Sequence, residues 1–136
     1  MNPLLVTYPN AVKLKQKGFT EQCAACYDTL KPTACSDNKE YYTWGYDNHN
    51  KDPYRVSAPS LQVAEKWLRD RFGYHVGMSI GKNKFYWFVI KVGVGQVNVP
   101  DHDNLTTFEA ATDAAITYIV NNLIYLRLTS LLQPQF

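Results

Sequence analysis

YHVGMSIGKNKFYWFVIKV, residues 74–92, is the stretch whose reading decides the fold. Two runs of strand-forming residues, Tyr74–Ile80 and Phe85–Val92, flank the turn-like GKNK and predict a β-hairpin. Four aromatics stand side by side, Phe85, Tyr86, Trp87 and Phe88, between lysines. Alternation along a strand puts Tyr86, Phe88, Ile90 and Val92 on one side and Phe85, Trp87, Val89 and Lys91 on the other. Which side joins which side of the first strand depends on register, because a one-residue slip exchanges the faces. A three-residue loop, Lys82 to Lys84, aligns Tyr74, Val76, Met78 and Ile80 with Tyr86, Phe88, Ile90 and Val92. That register concentrates apolar area on one side, and burial at about 25 cal/mol per Å2 favours it. The reverse side then carries Phe85, Trp87, Val89, His75 and Lys91. It is either covered by YYTWGY (41–46) or left open as an interaction face.

The flanking residues supply helices for such a sheet. Before the hairpin, SLQVAEKWLRDRFG reads as a helix capped by Ser60 and stopped by Gly73. Leu61, Ala64, Trp67, Leu68 and Phe72 share its inner face. After it, TTFEAATDAAITYIVNNLI reads as a second helix, with Thr106 and Glu109 at capping-box spacing and Ala111, Ala115, Ile119 and Leu123 inward. QVNV (96–99) adds a third strand. Near the start, VTYPNAVKLKQKGF predicts a short helix with Thr7 as cap, Pro9 in its first turn and Gly18 at its stop. TEQCAACYD (20–28) reads as a helical turn and LKPTACSDN as a loop. KEYYTWGY (39–46) and PYRVSA (53–58) read as strands.

The expected architecture is a single α+β domain over residues 1–136, a small antiparallel sheet packed against two or three helices. Residues 1–59 carry a helix, a cysteine-bearing loop and strands; residues 60–125 form a helix–hairpin–helix core; residues 126–136 are a tail. Composition agrees: 46% hydrophobic and 19% charged is globular rather than disordered. Net charge is +2, and residues 60–92 hold six basic and two acidic groups. That is a mild attraction for anions, well short of a polybasic nucleic-acid footprint. MNPLLVTYPN lacks the basic start and apolar run of a signal peptide, and AAITYIVNNLIYLRLTSLL is broken by Asn121, Asn122 and Arg127. Three cysteines without a leader point to free thiols in a reducing cytoplasm.

VTYPNAVKLKQKGF, VSAPSLQVAEKWLRDRFGYHV, the aromatic strand and TTFEAATDAAITYIVNNLI together resemble a family of small uncharacterised proteins encoded in bacteriophages and mobile elements of gut bacteria. The likeness covers residues 7–19 and 57–124, and SAPSLQVAEKWLRDRFG is its most specific part. It implies a phage or mobile-element context and carries no catalytic residues. Segment 20–38 and the tail after Ile124 depart from it.

The remaining motifs are weak. Cys23, Cys26, Cys35 and His49 form a possible Cys3His zinc set, opposed by the reading of Cys23 and Cys26 as small buried hydrophobes; the expectation is no metal and no cofactor. Asp101-His102-Asp103 precedes the last helix, where the dipole already favours acids, and GVGQVN lacks the third glycine of a dinucleotide loop. No catalytic constellation is visible, so an enzyme is not expected. The function expected is non-catalytic: binding an unknown host or phage protein. The alternative is a single-stranded nucleic-acid binder using the aromatic hairpin with Arg69, Arg71, Lys82, Lys84 and Lys91. YLRLTSLLQPQF, with leucines at 126, 128, 131 and 132, is read as either a homodimer interface through residues 126–136 or a flap over the sheet.

Overall fold

The structure, a computed structural model, describes residues 4–29, 41–99 and 105–124. It is α+β, and its strands form two three-stranded antiparallel sheets, ordered β2-β1-β3 and β4-β5-β6. The chain folds into two compact units, one of Met1–Leu5 with Ser60–Ile119, the other of Val6–Pro59 with Val120–Phe136. Cys35, Asp101, His102, Asp103 and the tail 126–136 lie outside the described residues, as do the side chains of Tyr41, Tyr42 and Trp44. Among the described residues no helix is long and apolar enough to cross a membrane.

The unit built on residues 60–119 begins with α2 (Leu61–Phe72). Ser60 Oγ accepts the Val63 N–H at 3.2 Å, and Gly73 ends the helix in the left-handed region at φ 78°. These are the cap and stop that the residue types dictate. Strands β4 (Tyr74–Gly81) and β5 (Lys84–Lys91) form the hairpin, with β6 (Gly95–Gln96) beside β5. The Phe85 N–H donates to Leu105 O at 2.8 Å, which brings the chain back along β5 into α3 (Phe108–Tyr118). The cap of α3 is Thr107, whose Oγ1 accepts from the Ala110 N–H at 3.0 Å, not Thr106 with Glu109. Ala64, Trp67, Leu68, Val89, Ala111, Ala115 and Ile116 form the core, and Leu68, Val89 and Ile116 are fully buried.

The hairpin register differs from the expected one. Gly81 pairs with Lys84, so the turn has two residues, and Asn83 takes a φ of 62° that asparagine tolerates better than most side chains. Val76 therefore faces Val89, Met78 faces Trp87 and Ile80 faces Phe85. Trp87 and Val89 are buried, whereas Tyr86 and Phe88 turn to the opposite side of the sheet. The reason lies on β4, where Gly77 and Gly81 leave gaps in that opposite side. A Cβ on Gly77 would meet the Phe88 ring at 2.1 Å, and one on Gly81 would meet the Tyr86 ring at 2.5 Å. The two rings lie over glycine backbone, covering what would otherwise be bare strand.

The other unit has α1 (Tyr8–Gln16), β1 (Cys23–Asp28), β2 (Tyr41–Asp47) and β3 (Arg55–Ser57). Thr7 stands at the cap position of α1, but its hydroxyl makes no capping bond. TEQCAACYD is not a helical turn: β1 is the central strand, pairing Tyr27 with Tyr41 on one side and with Val56 on the other. Pairing on both edges outweighs the modest helix preference of its alanines. Val6, Leu14, Phe19, Cys26 and Val56 make the core, and the Tyr27 hydroxyl donates to Val6 O at 2.8 Å.

Candidate functional site

With α2 and α3 on the Trp87 side of the β4–β5–β6 sheet, the other side presents His75, Ser79, Lys84, Tyr86, Phe88 and Ile90 by strand alternation. Tyr86 and Phe88 are half-buried over their glycines, and Ile90 is 39% exposed. The turn after β5 adds Val92 at 58% and Val94 at 80% exposure. No Asp or Glu lies in residues 74–99, and Lys82 stands exposed in the hairpin turn. This is an apolar and aromatic strip with a cationic end.

The expected interaction face does not form as one surface. Phe85 packs edge-to-face on Phe108 at a centroid distance of 6.2 Å, and Trp87 packs against Tyr118 at 5.5 Å. Val89 is fully buried and His75 lies on the opposite side of the sheet. The Lys91 ammonium donates to Phe72 O, at the end of α2, and sits 4.4 Å from the centre of the Tyr74 ring. It therefore neutralises a helix C-terminus and makes a cation–π contact. The basic candidates are likewise split: Lys84 and Lys82 belong to the hairpin end, Arg69 and Arg71 to α2, and Lys91 to the helix-facing side. Tyr86, Phe88 and Ile90 are the outward residues that the sequence reading assigned to the core. The readable signal was the alternation of small residues at Gly77, Ser79 and Gly81, which leaves that side of β4 too shallow for a core.

Of the zinc candidates that are described, Cys23 and Cys26 are buried and His49 is bonded to backbone carbonyls. Cys23 and Cys26 are buried in a strand, without the knuckle geometry that a C-x-x-C zinc site uses. Burial pushes the Cys23 thiol up to about 11 and raises Cys26 as well. His49 is buried, with Nε2 at 3.0 Å from Cys23 O and 2.9 Å from Gly45 O. Carbonyls only accept, so Nε2 carries the proton and the imidazole ties β1 to the end of β2. Next to it, the Asn50 amide donates to Phe19 O at 2.8 Å and its Oδ1 accepts the Ser57 N–H at 2.7 Å. Among the described residues no three His, Cys, Asp or Glu side chains group as metal ligands.

Comparison of the chain with protein-family models, with curated proteins and with solved structures returns no match.

Proposed function

We propose that the chain is a non-catalytic binding module, an accessory protein of a phage or mobile element acting in a bacterial cytoplasm, whose protein partner docks on the outward side of the β4–β5–β6 sheet. The observation that carries this reading is the run of exposed aliphatics, Ile90, Val92 and Val94, continuous along the chain with half-buried Phe88 and Tyr86. Apolar and aromatic residues at the centre, with charge kept to the lysine end, match the anatomy of a protein–protein interface. Self-association through residues 126–136 belongs to the same reading as a separate contact.

A second reading has its own observation: Tyr86 and Phe88 laid over Gly81 and Gly77, beside Lys82 and Lys84, resemble a stacking platform for single-stranded nucleic acid. The aliphatic exposures weigh against it, because bases gain from π-faces and cations rather than from valines. Affinity capture from bacterial lysate separates the two. A protein partner should be retained by the parent after nuclease treatment, lost with Phe88→Ser/Ile90→Asp, and kept with Lys82→Glu/Lys84→Glu. Loss on nuclease treatment together with loss in the lysine variant refutes the protein-partner reading in favour of the nucleic-acid one.

A further inference from the structure

A cavity of about 330 Å3 lies between the first turns of α2 and α3, on the opposite side of the sheet from the docking strip. Its walls are apolar at Leu4, Leu61 and Phe108. Two acidic residues from different helices, Glu65 and Glu109, line the same cavity, together with Thr112. No lysine or arginine lines it among the described residues.

Thr112 is 1% exposed, and among the described residues its hydroxyl has no hydrogen-bond partner. A buried helical threonine ordinarily bonds back to the carbonyl four residues earlier. Thr117, on the same helix, does so, donating to Asp113 O at 2.8 Å. The buried hydroxyl on the cavity wall is therefore available to an occupant of the cavity, a water or a bound group, as its hydrogen-bond partner. Threonine in a helix has two accessible rotamers, so the hydroxyl can turn toward an occupant without backbone movement.

The charges select the occupant. Glu109 sits in the first turn of α3, where the helix dipole favours it. Glu65 has no such reason: it stands in the middle of α2, and burial raises its pKa against the partial relief of Arg69. Two carboxylates exceed the half-charge of each helix end, so the cavity repels anions. A group with several N–H donors satisfies both carboxylates and the threonine oxygen at once, and an apolar stem fits the leucine and phenylalanine walls.

We propose that this cavity binds an organic cation, an ammonium or guanidinium group on a short apolar stem. A free amine and a lysine or arginine side chain of a protein share that chemistry. The test is titration of the full chain, followed by backbone amide NMR shifts, with pentylammonium, agmatine, the neutral 1-pentanol, and the blocked peptide Gly-Lys-Gly. Saturable shifts at Gln62, Glu65, Glu109 and Thr112 are expected with the cations and not with 1-pentanol. Glu65→Gln and Glu109→Gln should each weaken binding by about tenfold, with unfolding midpoints showing that both variants remain folded. Tighter binding of the peptide assigns the site to a protein side chain, and tighter binding of the free amines assigns it to a small molecule. Equal binding of 1-pentanol, no saturable shift with any cation, or full affinity in both glutamine variants overturns the proposal.

Discussion

Trp87 and Phe88 are adjacent in sequence and opposite in the fold, so truncating each in turn tests the hairpin register. Trp87 is 6% exposed, against Tyr118 and the core helices. A buried indole withdraws about 200 Å2 from water, worth about 5 kcal/mol at 25 cal/mol per Å2. Trp87→Ala is therefore expected to cost about 3–5 kcal/mol. Phe88 keeps one side in solvent, and its contact is the backbone at Gly77, so Phe88→Ala should cost about 1–2 kcal/mol. Gly77 supplies a coupling. A methyl there would meet the ring at 2.1 Å, so Gly77→Ala must swing Phe88 away. In the parent this costs about 1–2 kcal/mol; in a Phe88→Ala background the cost should vanish, leaving an interaction energy of about 1 kcal/mol or more. Urea unfolding followed by far-UV circular dichroism measures all four proteins without depending on tryptophan emission, and unchanged m-values validate the comparison. If Phe88→Ala is as damaging as Trp87→Ala, or if Gly77→Ala costs the same whichever residue stands at 88, the register is wrong.

The position of the α3 cap is tested by two neighbouring threonines. Thr107→Ala should cost about 0.5–2 kcal/mol and Thr106→Ala close to nothing, and equal costs in thermal melts would contradict the Thr107–Ala110 bond. Cys23 ties stability to alkaline pH. Its thiol is pushed up to about 11 by burial, so the folded state holds the proton after the unfolded chain has released it. The stabilisation is whole below about pH 8.5 and declines as pH rises toward 11, by at most about 1.4 kcal/mol per pH unit. Unfolding midpoints should fall more steeply between about pH 8.5 and 10.5 for the parent than for Cys23→Ala, and parallel curves would refute the burial argument.

What the residues disclosed and what they withheld follow a physical line. The bounds of α2 were legible because Ser60 and Gly73 act within one turn of the helix they delimit, and its apolar spacing needs no distant partner. The hairpin was legible too, but its register was not. Ranking registers by concentrated apolar area ignores that Gly77 and Gly81 also require cover, and Asn83 permits the shorter turn. Strand β1 was hidden because its partners, such as Tyr41 and Val56, come many residues later and its Cys-Ala-Ala-Cys core has no period. The cap of α3 turned on one of two adjacent threonines, a choice made by geometry alone. The cavity had no signature, since Glu65, Glu109 and Thr112 share no motif and meet only when α2 and α3 pack.

The division of the chain also sets an order of events during synthesis. Residues 60–119 and the short segment before Val6 make one unit, whereas residues 6–59 share theirs with Val120 and Ile124, both buried. Growing from its amino end, the polypeptide exposes β1, β2 and β3 first, yet the apolar residues completing their unit are made only after α3. The helix–hairpin–helix unit thus has all its described parts available earlier, although it starts later. A chain that has emerged from the ribosome only as far as Tyr118 would carry one unit with its described parts in hand and one still short of Val120 and Ile124, the state in which a chaperone would find apolar surface to hold.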